Sequence, residues 1–281
     1  MGAPGSRACE RYRHPMRKAL VVKPGQAAEL ATRDPADRLR LDKAAAQTRL
    51  VQLVTRLGEL QSRLYAEQRR SILLVLQGLD TSGKDGTIRR VFTGLNPSGC
   101  RVVSFKAPTT TELAHDYLWR VHDQLPARGE IGAFNRSHYE DIVTTSVLGL
   151  ITGSQRRRRC RHVRGFERML HEEGYTLVKV FLHLSRAEQA RRLEARLEDP
   201  DKRWKFRLDD LDNRSRWVDY QRRYEDAITR TSTSWAPWYV VPADHKWVSS
   251  VAVATLMVTA LEEMDPQYPP PAVDLDGIVI D

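Results

Sequence analysis

The chain has 281 residues, and its 45 Lys and Arg side chains outnumber its 36 Asp and Glu side chains, which gives a net charge of +9. This composition excludes wholesale disorder, and the three widely spaced cysteines (Cys9, Cys100 and Cys160) exclude a disulfide scaffold or a structural zinc site. No uninterrupted apolar run approaches the ~20 residues of a membrane span, so we expect a soluble, cytoplasmic protein. Charge alone favours a role in solubility over a polyanionic partner.

In chain order, an Arg-rich arm (1–20) precedes a helical extension (21–70). Apolar residues recur at helical spacing up to Leu64, which predicts an amphipathic helix from about Asp37. Apolar runs then predict five strands, with helices between them. The predicted strands are 71–77, 101–105, 130–134, 176–184 and 238–241, and the predicted helices are 86–95, 111–124, 165–173, 186–198 and 246–264.

This alternation of strands and helices predicts an α/β protein in three layers, with a five-stranded parallel sheet between helices. The segment 199–234 is too long for a simple connection, and its mixed charged and aromatic content predicts a helical insertion. The core extends over 71–271, and the Pro-rich end predicts an extended tail at 272–281.

A glycine-rich segment follows the first predicted strand directly. In GLDTSGKDG (78–86), the first glycine and the Gly-Lys pair have the spacing of a phosphate-binding loop. Glycines let backbone N–H groups turn toward a phosphate, and the lysine reaches the transferring oxygens. An ordinary strand-to-helix turn is the alternative, but the flanking strand and helix favour phosphate binding. The predicted phosphate-binding residues of the loop are Gly78, Thr81, Ser82, Gly83, Lys84, Asp85 and Gly86.

Two carboxylates accompany this loop. Asp80 lies inside it, and Asp85 stands where a Ser or Thr normally holds Mg²⁺. Carboxylates repel phosphates unless a cation lies between them, so these residues indicate a metal or a role on the acceptor. Alternatively, Asp80 caps the next helix and Asp85 favours its first turn. We predict that Asp80 holds Mg²⁺, and the role of Asp85 stays open.

Polar residues also follow the next two strands. Lys106 comes after the second strand, and Asn135, Arg136, Glu140 and Asp141 come at or after the end of the third. The carboxyl ends of parallel strands line one crevice, so these residues should face the loop. Arg136 suits a bidentate phosphoryl clamp, and Glu140 or Asp141 could support a metal or the acceptor.

Cations alternate with aromatic residues in the insertion, in DKRWKF (201–206). Arg203 and Lys205 there could hold phosphates beside a stacked base, or the stretch could bind single-stranded nucleic acid. A solvated helix face with two residues in the core is an equally good interpretation of the stretch alone.

Four sequence blocks occur in this order along the chain: GLDTSGKDGTIRRVFTGLNPSGCRVVSFKAPT, RGEIGAFNRSHYED, DPDKRWKF and TSTSWAPWYVVPADHKW. In these blocks, and over nearly the whole chain, the sequence resembles the family-2 polyphosphate kinases. The resemblance implies a P-loop kinase fold with a helical lid at about 186–234. It also implies Mg²⁺-dependent phosphoryl transfer between inorganic polyphosphate and nucleoside phosphates, by homodimers or homotetramers, with neither a membrane nor a nucleic acid as partner.

The resemblance also assigns roles to residues. Asp80 matches the essential loop aspartate of the family, and Arg136 matches the arginine of its second motif. The remaining matches are Lys84 and Asp85 with the Lys-Asp pair, and Arg203 and Lys205 with the basic lid. NRSHYED, which contains Glu140, resembles the subgroup that accepts AMP and ADP, so reversible conversion of AMP to ADP and of ADP to ATP is implied. On this basis Asp80, Lys84, Arg136 and Arg203 are the predicted catalytic residues.

The sequence departs from the family pattern between positions 147 and 165. Four consecutive arginines, at 156–159, stand where members usually have a Trp and an Arg-Tyr pair, and Arg164 replaces an asparagine. This run could extend a cationic track for a polyanion, but we expect a solvated loop.

Two other functions stay open. A nucleoside monophosphate kinase that uses ATP would share the loop and the lid. A non-catalytic nucleic-acid-binding protein could use the arginine run, although it would not need a lysine and paired carboxylates in a phosphate loop.

Overall fold

A six-stranded sheet forms the centre of the protein, in the order β1-β6-β5-β2-β4-β3. The computed structural model describes residues 15–274, 276, 278 and 280. Its strands are β1 (Val21–Val22), β2 (Ser71–Gln77), β3 (Cys100–Ser104), β4 (Ile131–Asn135), β5 (Tyr175–His183) and β6 (Trp238–Pro242). The five predicted parallel strands are confirmed, each within one residue of its predicted ends.

The prediction missed the sixth strand. β1 pairs antiparallel with β6, so that Val21 lies opposite Tyr239 and Val22 lies opposite Trp238. Two residues are too short to show the alternation that identifies a strand, and this pairing joins segments that are far apart in the sequence. The predicted five-stranded sheet is therefore corrected to six strands.

Helices cover both faces of the sheet, as the α/β pattern predicts. They are α1 (Pro15–Leu20), α2 (Lys43–Glu67), α3 (Lys84–Val91), α4 (Thr110–Leu113), α5 (Trp119–His122), α6 (Thr144–Val147), α7 (Gly153–Glu172), α8 (Arg186–Glu198), α9 (Leu208–Ser215), α10 (Trp217–Thr231) and α11 (Lys246–Met264). On one face of the sheet, a single apolar cluster contains side chains of α1, α2, α3 and α11. On the other face, a second apolar cluster contains side chains of α5, α7 and α10.

Several predicted helix bounds differ from the structure. Residues 15–20, assigned to the arm, form α1, while residues 1–14 lie outside the described part of the chain. α2 begins after Asp42, whose carboxylate caps it by accepting from the N–H of Ala45 at 2.8 Å. The single helix predicted for 111–124 is two short helices, because Asp116 turns the chain by accepting from the N–H of Leu118 at 2.9 Å.

The arginine run lies in helix α7, so the expectation of a solvated loop is wrong. Thr152 caps this helix through reciprocal hydrogen bonds with the residue three positions on. Arg156 is buried and pairs with Asp226 at 3.1 Å. Arg159 donates to the backbone oxygen of Asp141 at 2.5 Å. Two of the four arginines therefore fasten α7 to its neighbours.

Helix α11 occupies a core position. By length and composition it could cross a membrane, but 14 of its 19 residues are buried. It packs against α2 and the sheet, which is the usual place of an apolar helix in a soluble domain.

A fully buried ion pair joins α7 to β5. Lys179 Nζ lies 2.6 Å from Glu167 Oε2 and also donates to Tyr139 Oη at 3.0 Å and to the backbone oxygen of Thr231 at 2.8 Å. Both charged side chains are 0% exposed. Burial acts to raise the pKa of Glu167, but the charge of Lys179 and the His138 ring nitrogen 3.5 Å away outweigh it and hold that pKa below its usual value.

Replacing Glu167 by glutamine should destabilise the fold by about 3–5 kcal/mol, because it leaves the Lys179 ammonium buried without its counter-charge. Urea denaturation of the single variant and of Glu167→Gln/Lys179→Met provides the measurement, and the double variant should recover part of the loss. In the wild type, the contribution of Glu167 to stability should be complete above its unfolded pKa and should disappear as the pH falls through its lower folded pKa. Equal stability of Glu167→Gln and wild type would contradict this role.

Candidate active site

A cleft of about 780 Å³ opens at the carboxyl ends of β2, β3 and β4, where a doubly wound sheet binds its ligands. Twelve Lys and Arg side chains line it against three carboxylates. Such an excess of positive charge attracts polyanions to the cleft, and added salt weakens this attraction.

The phosphate loop forms the floor of this cleft. Gly83 begins α3 with φ +100°, in the left-handed region that favours glycine. At Gly78, a Cβ atom would lie 2.6 Å from Ser82 Oγ and 3.0 Å from the backbone oxygen of Leu182, so only glycine fits there. The glycines therefore place the amino end of α3 at the floor of the cleft, where the sequence predicts an anion cradle.

Lys84 is buried beneath the loop, and its Nζ donates to the backbone oxygens of Gly78 at 2.7 Å and of Leu79 at 3.1 Å. Burial, together with the charge of Arg136, lowers the pKa of Lys84 to about 8, against the opposite effect of Asp80. A phosphate in the cradle would stabilise the charged form, because it adds negative charge close to the ammonium group.

Asp80 joins the loop to two distant elements. Its carboxylate accepts from Arg136 Nη2 at 2.8 Å and from Asn213 Nδ2 at 2.9 Å. Burial acts to raise the pKa of Asp80, but the charges of Lys84 and Arg136 and the hydrogen bond from Asn213 outweigh it, so the pKa lies below its usual value. Asp80 is therefore ionised at neutral pH.

Arg136 stands at the end of β4 with φ +63°, a strained conformation for a residue other than glycine. Burial acts to lower its pKa, but the charges of Glu140 and Asp80 outweigh that and raise it. Beside it, Asn135 Nδ2 donates to Asp85 Oδ1. The predicted meeting of the second motif with the loop is therefore present, and the strain indicates a functional constraint at Arg136.

Glu140 lies just behind Arg136 rather than among the side chains that line the cleft. Its Oε2 accepts from Thr144 Oγ1 at 2.6 Å, and the Gln77 amide donates to its Oε1 at 2.9 Å once the amide oxygen and nitrogen are exchanged to satisfy their neighbours. Lys106 does line the cleft, and its backbone oxygen accepts from Arg120 at 2.9 Å.

Only one of the two predicted lid cations lines the cleft. Lys205 lines the cleft together with Lys202 and Trp204. Arg203 does not, because its Nε donates to the backbone oxygen of Leu197 at 2.7 Å. Of the predicted loop residues, Thr81, Gly83, Lys84, Asp85 and Gly86 line the cleft, whereas Gly78 and Ser82 do not.

Sequence reasoning missed residues of α8 and α9 that hold the loop in place. Arg192 donates to the backbone oxygens of Thr81 at 2.9 Å and of Ala243 at 2.7 Å. Arg196 pairs with Asp210 at 3.2 Å across the cleft wall. The Glu188/Arg192 pair, four residues apart on α8, was the available signal, but such pairs usually lie on solvated helix faces.

Comparison with known proteins identifies the family. The sequence profile of the polyphosphate kinase 2 family matches residues 40–269. The chain belongs to the polyphosphate kinase 2 family. It is 50% identical over 266 residues to the AMP/ADP-polyphosphate phosphotransferase of Meiothermus ruber, covering 94% of this chain and 100% of that protein.

Two further relatives agree with this family and with the fold. The ADP-polyphosphate phosphotransferase of Rhodopseudomonas palustris is 43% identical over 228 residues, which cover 77% of this chain and 79% of that protein. The crystal structure of polyphosphate kinase 2 from Arthrobacter aurescens TC1 superposes with a TM-score of 0.90 at 40% identity, over 92% of this chain and 93% of that one. The fold is therefore that of a polyphosphate kinase 2.

Proposed function

We propose that this polyphosphate kinase 2 transfers phosphoryl groups reversibly between inorganic polyphosphate and AMP or ADP, with Mg²⁺. The observation that carries the proposal is the cationic cleft above the phosphate loop, in which Asp80 and Arg136 meet. The names of the relatives from Meiothermus ruber and Rhodopseudomonas palustris support the same substrates.

In the proposed reaction, an oxygen of the terminal nucleotide phosphate attacks the end phosphorus of polyphosphate. The new P–O bond forms as the anhydride bond to the next phosphate breaks, so that the polymer leaves one unit shorter. This chemistry depends mainly on positioning and on neutralising charge at the transferring group. Lys84 and Arg136 supply that positive charge, and Lys106, Lys202 and Lys205 bind the polymer along the cleft. A role for Arg203 stays a prediction that requires its side chain to leave Leu197.

The carboxylates near the loop fit a magnesium ion. Among the described residues, no cluster of three or more His, Cys, Asp or Glu side chains could hold a metal alone. Mg²⁺ usually takes only one or two protein carboxylates and completes its shell with substrate phosphates and water. Asp80 and Asp85 would hold the ion, which would offset the negative charge of the substrate phosphates. Asn135 orients Asp85 for this purpose.

Glu140 is the residue that we associate with the use of AMP as well as ADP. It raises the pKa of Arg136, and its two carboxylate oxygens are fixed by Thr144 and Gln77. We infer that a carboxylate held in this way fixes the orientation of the Arg136 guanidinium toward the acceptor phosphate.

The direct test is to incubate the purified protein with long-chain polyphosphate, Mg²⁺ and either AMP or ADP, and to follow the nucleotides by chromatography. We expect ADP and ATP to form, and we expect removal of Mg²⁺ by EDTA to stop both reactions. Turnover of AMP with ATP but not with polyphosphate would identify a nucleoside monophosphate kinase instead. Binding of single-stranded nucleic acid that polyphosphate does not displace, without any turnover, would identify the non-catalytic alternative.

A further inference from the structure

A second cationic pocket, of about 530 Å³, lies between α7 and the segment that precedes β6. Its lining includes Arg157, Arg161, Arg164, Arg230 and Trp235 and contains no carboxylate. We call this site the arginine pocket. Its volume is in the range of known small-ligand sites, and guanidinium groups suit phosphate oxygens.

Three of these arginines form no ion pair with a described residue. The ion pairs made by arginines of α7 and α10 join Arg156 and Arg230 to Asp226, and Arg168 to Glu172. Within the described part of the chain, no ion pair involves the arginines at 157, 161 and 164, which are exposed. The cost of gathering like charges is therefore not offset by any described carboxylate, which is expected of a site that receives an anion.

The spacing of the arginines indicates an extended anion. Positions 157, 161 and 164 share one face of α7 and extend over about 10 Å of its length. Trp235 lies in the same lining, and its buried Nε1 has no hydrogen-bond partner among the described residues. A row of guanidinium groups matches a linear chain of phosphates better than a single phosphate group.

The arginine pocket is separate from the active-site cleft. The two share no lining residue. Trp235 precedes β6, and Pro24 follows Val22, which lies opposite Trp238 at the amino end of β6. The cleft lies at the carboxyl ends of the parallel strands, whereas the arginine pocket lies toward their amino ends. The separation is of the order of a strand length, roughly 20 Å for the seven residues of β2.

We infer that the arginine pocket binds a distal part of the same polyphosphate chain whose end occupies the cleft. This inference rests on the proposed function. Two linked contacts bind far more tightly than either alone, because the second contact is intramolecular. Only a chain long enough to reach both sites gains from the second, so the pocket should make the enzyme prefer long polyphosphate. Tripolyphosphate is too short to bridge them.

The test compares two variants that lose the same charge. The pocket variant is R157A/R161A/R164A. The control variant, R38A/R49A/R158A, replaces three exposed arginines that do not line either site. We expect the pocket variant to raise the KM for long-chain polyphosphate about tenfold or more, since linked sites commonly gain about 10²–10⁴-fold in avidity. The KM or inhibition constant of tripolyphosphate should stay at the wild-type value in both variants.

If the KM for long-chain polyphosphate were equal in the pocket and control variants, the inference would be overturned. Weaker binding of a single-stranded oligonucleotide by the pocket variant with unchanged binding of polyphosphate would also overturn it, and would make the pocket a nucleic-acid site. Fluorescence anisotropy with labelled long-chain polyphosphate keeps the two proposals apart. A wild-type enzyme without turnover contradicts the proposed function, whereas equal anisotropy titrations of wild type and pocket variant contradict the pocket alone.

Discussion

Replacing Arg136 by alanine is expected to lower the rate of phosphoryl transfer by about 10³–10⁵-fold, the usual contribution of a phosphate-clamping arginine. The guanidinium lies 2.8 Å from Asp80 at the mouth of the phosphate loop, and the charges of Glu140 and Asp80 raise its pKa. Its removal takes a positive charge away from the proposed transfer site and leaves the Asp80 carboxylate without its ion-pair partner. A coupled assay of ATP formation from ADP measures the change in kcat.

Arg191→Ala is the matched control for this variant. Arg191 also lines the cleft, but its side chain is 73% exposed and pairs with Glu188 at 2.7 Å. Loss of this charge should change kcat little, because an exposed ion pair contributes at most about 1 kcal/mol. Arg136→Lys should recover only part of the lost rate, because lysine keeps the charge but not the planar fork. Near-wild-type turnover of Arg136→Ala would remove this residue from the mechanism.

Replacing Asp80 by asparagine is expected to abolish metal-dependent transfer while the fold stays intact. Asparagine has nearly the same shape and can still accept from Asn213, but it lacks the negative charge that a divalent cation requires. Because the side chain is small and lies at the cleft rather than in the apolar core, the variant should still fold, with only the stability that the ion pair with Arg136 contributes being lost. The coupled ATP assay and circular dichroism measure the two effects.

Asp209→Asn provides the comparison for Asp80→Asn. Asp209 is an exposed acid on α9, the helix whose Asn213 contacts Asp80. The control variant should retain wild-type turnover and the wild-type dependence on Mg²⁺ concentration. If Asp80→Asn also responded to Mg²⁺ as the wild type does, the metal would have to be held elsewhere.

The accuracy of the sequence prediction follows how local each signal is. β2, α8 and α11 match their predicted bounds, because a continuous apolar run and a capped periodic segment are properties of adjacent residues. The arginine run of α7 was misjudged. Its positive charge suggested solvation, but Arg156 pairs with the half-buried carboxylate of Asp226 on α10, and the capping signal at Thr152 outweighs the weak amphipathic pattern.

The residues of the candidate site also differ in how far local sequence predicts them. Gly78, Gly83 and Lys84 follow from spacing alone, since a phosphate cradle is built within one strand-loop-helix unit. The partners of the cradle do not follow from spacing. Arg192 and Asn213 touch the loop from α8 and α9, and Arg203 lies outside the cleft although its neighbours in sequence line it.

The amino-acid sequence by itself determined the α/β class, the phosphate loop and the residues of the second motif, because each depends on residues close together in the chain. Only the tertiary structure decided which charges meet. Asp80 and Arg136 are 56 residues apart, and Asp80 and Asn213 are 133 residues apart. Such contacts arise when helices pack over a sheet in a particular register, and that packing depends on apolar surfaces from the whole chain rather than on any local pattern.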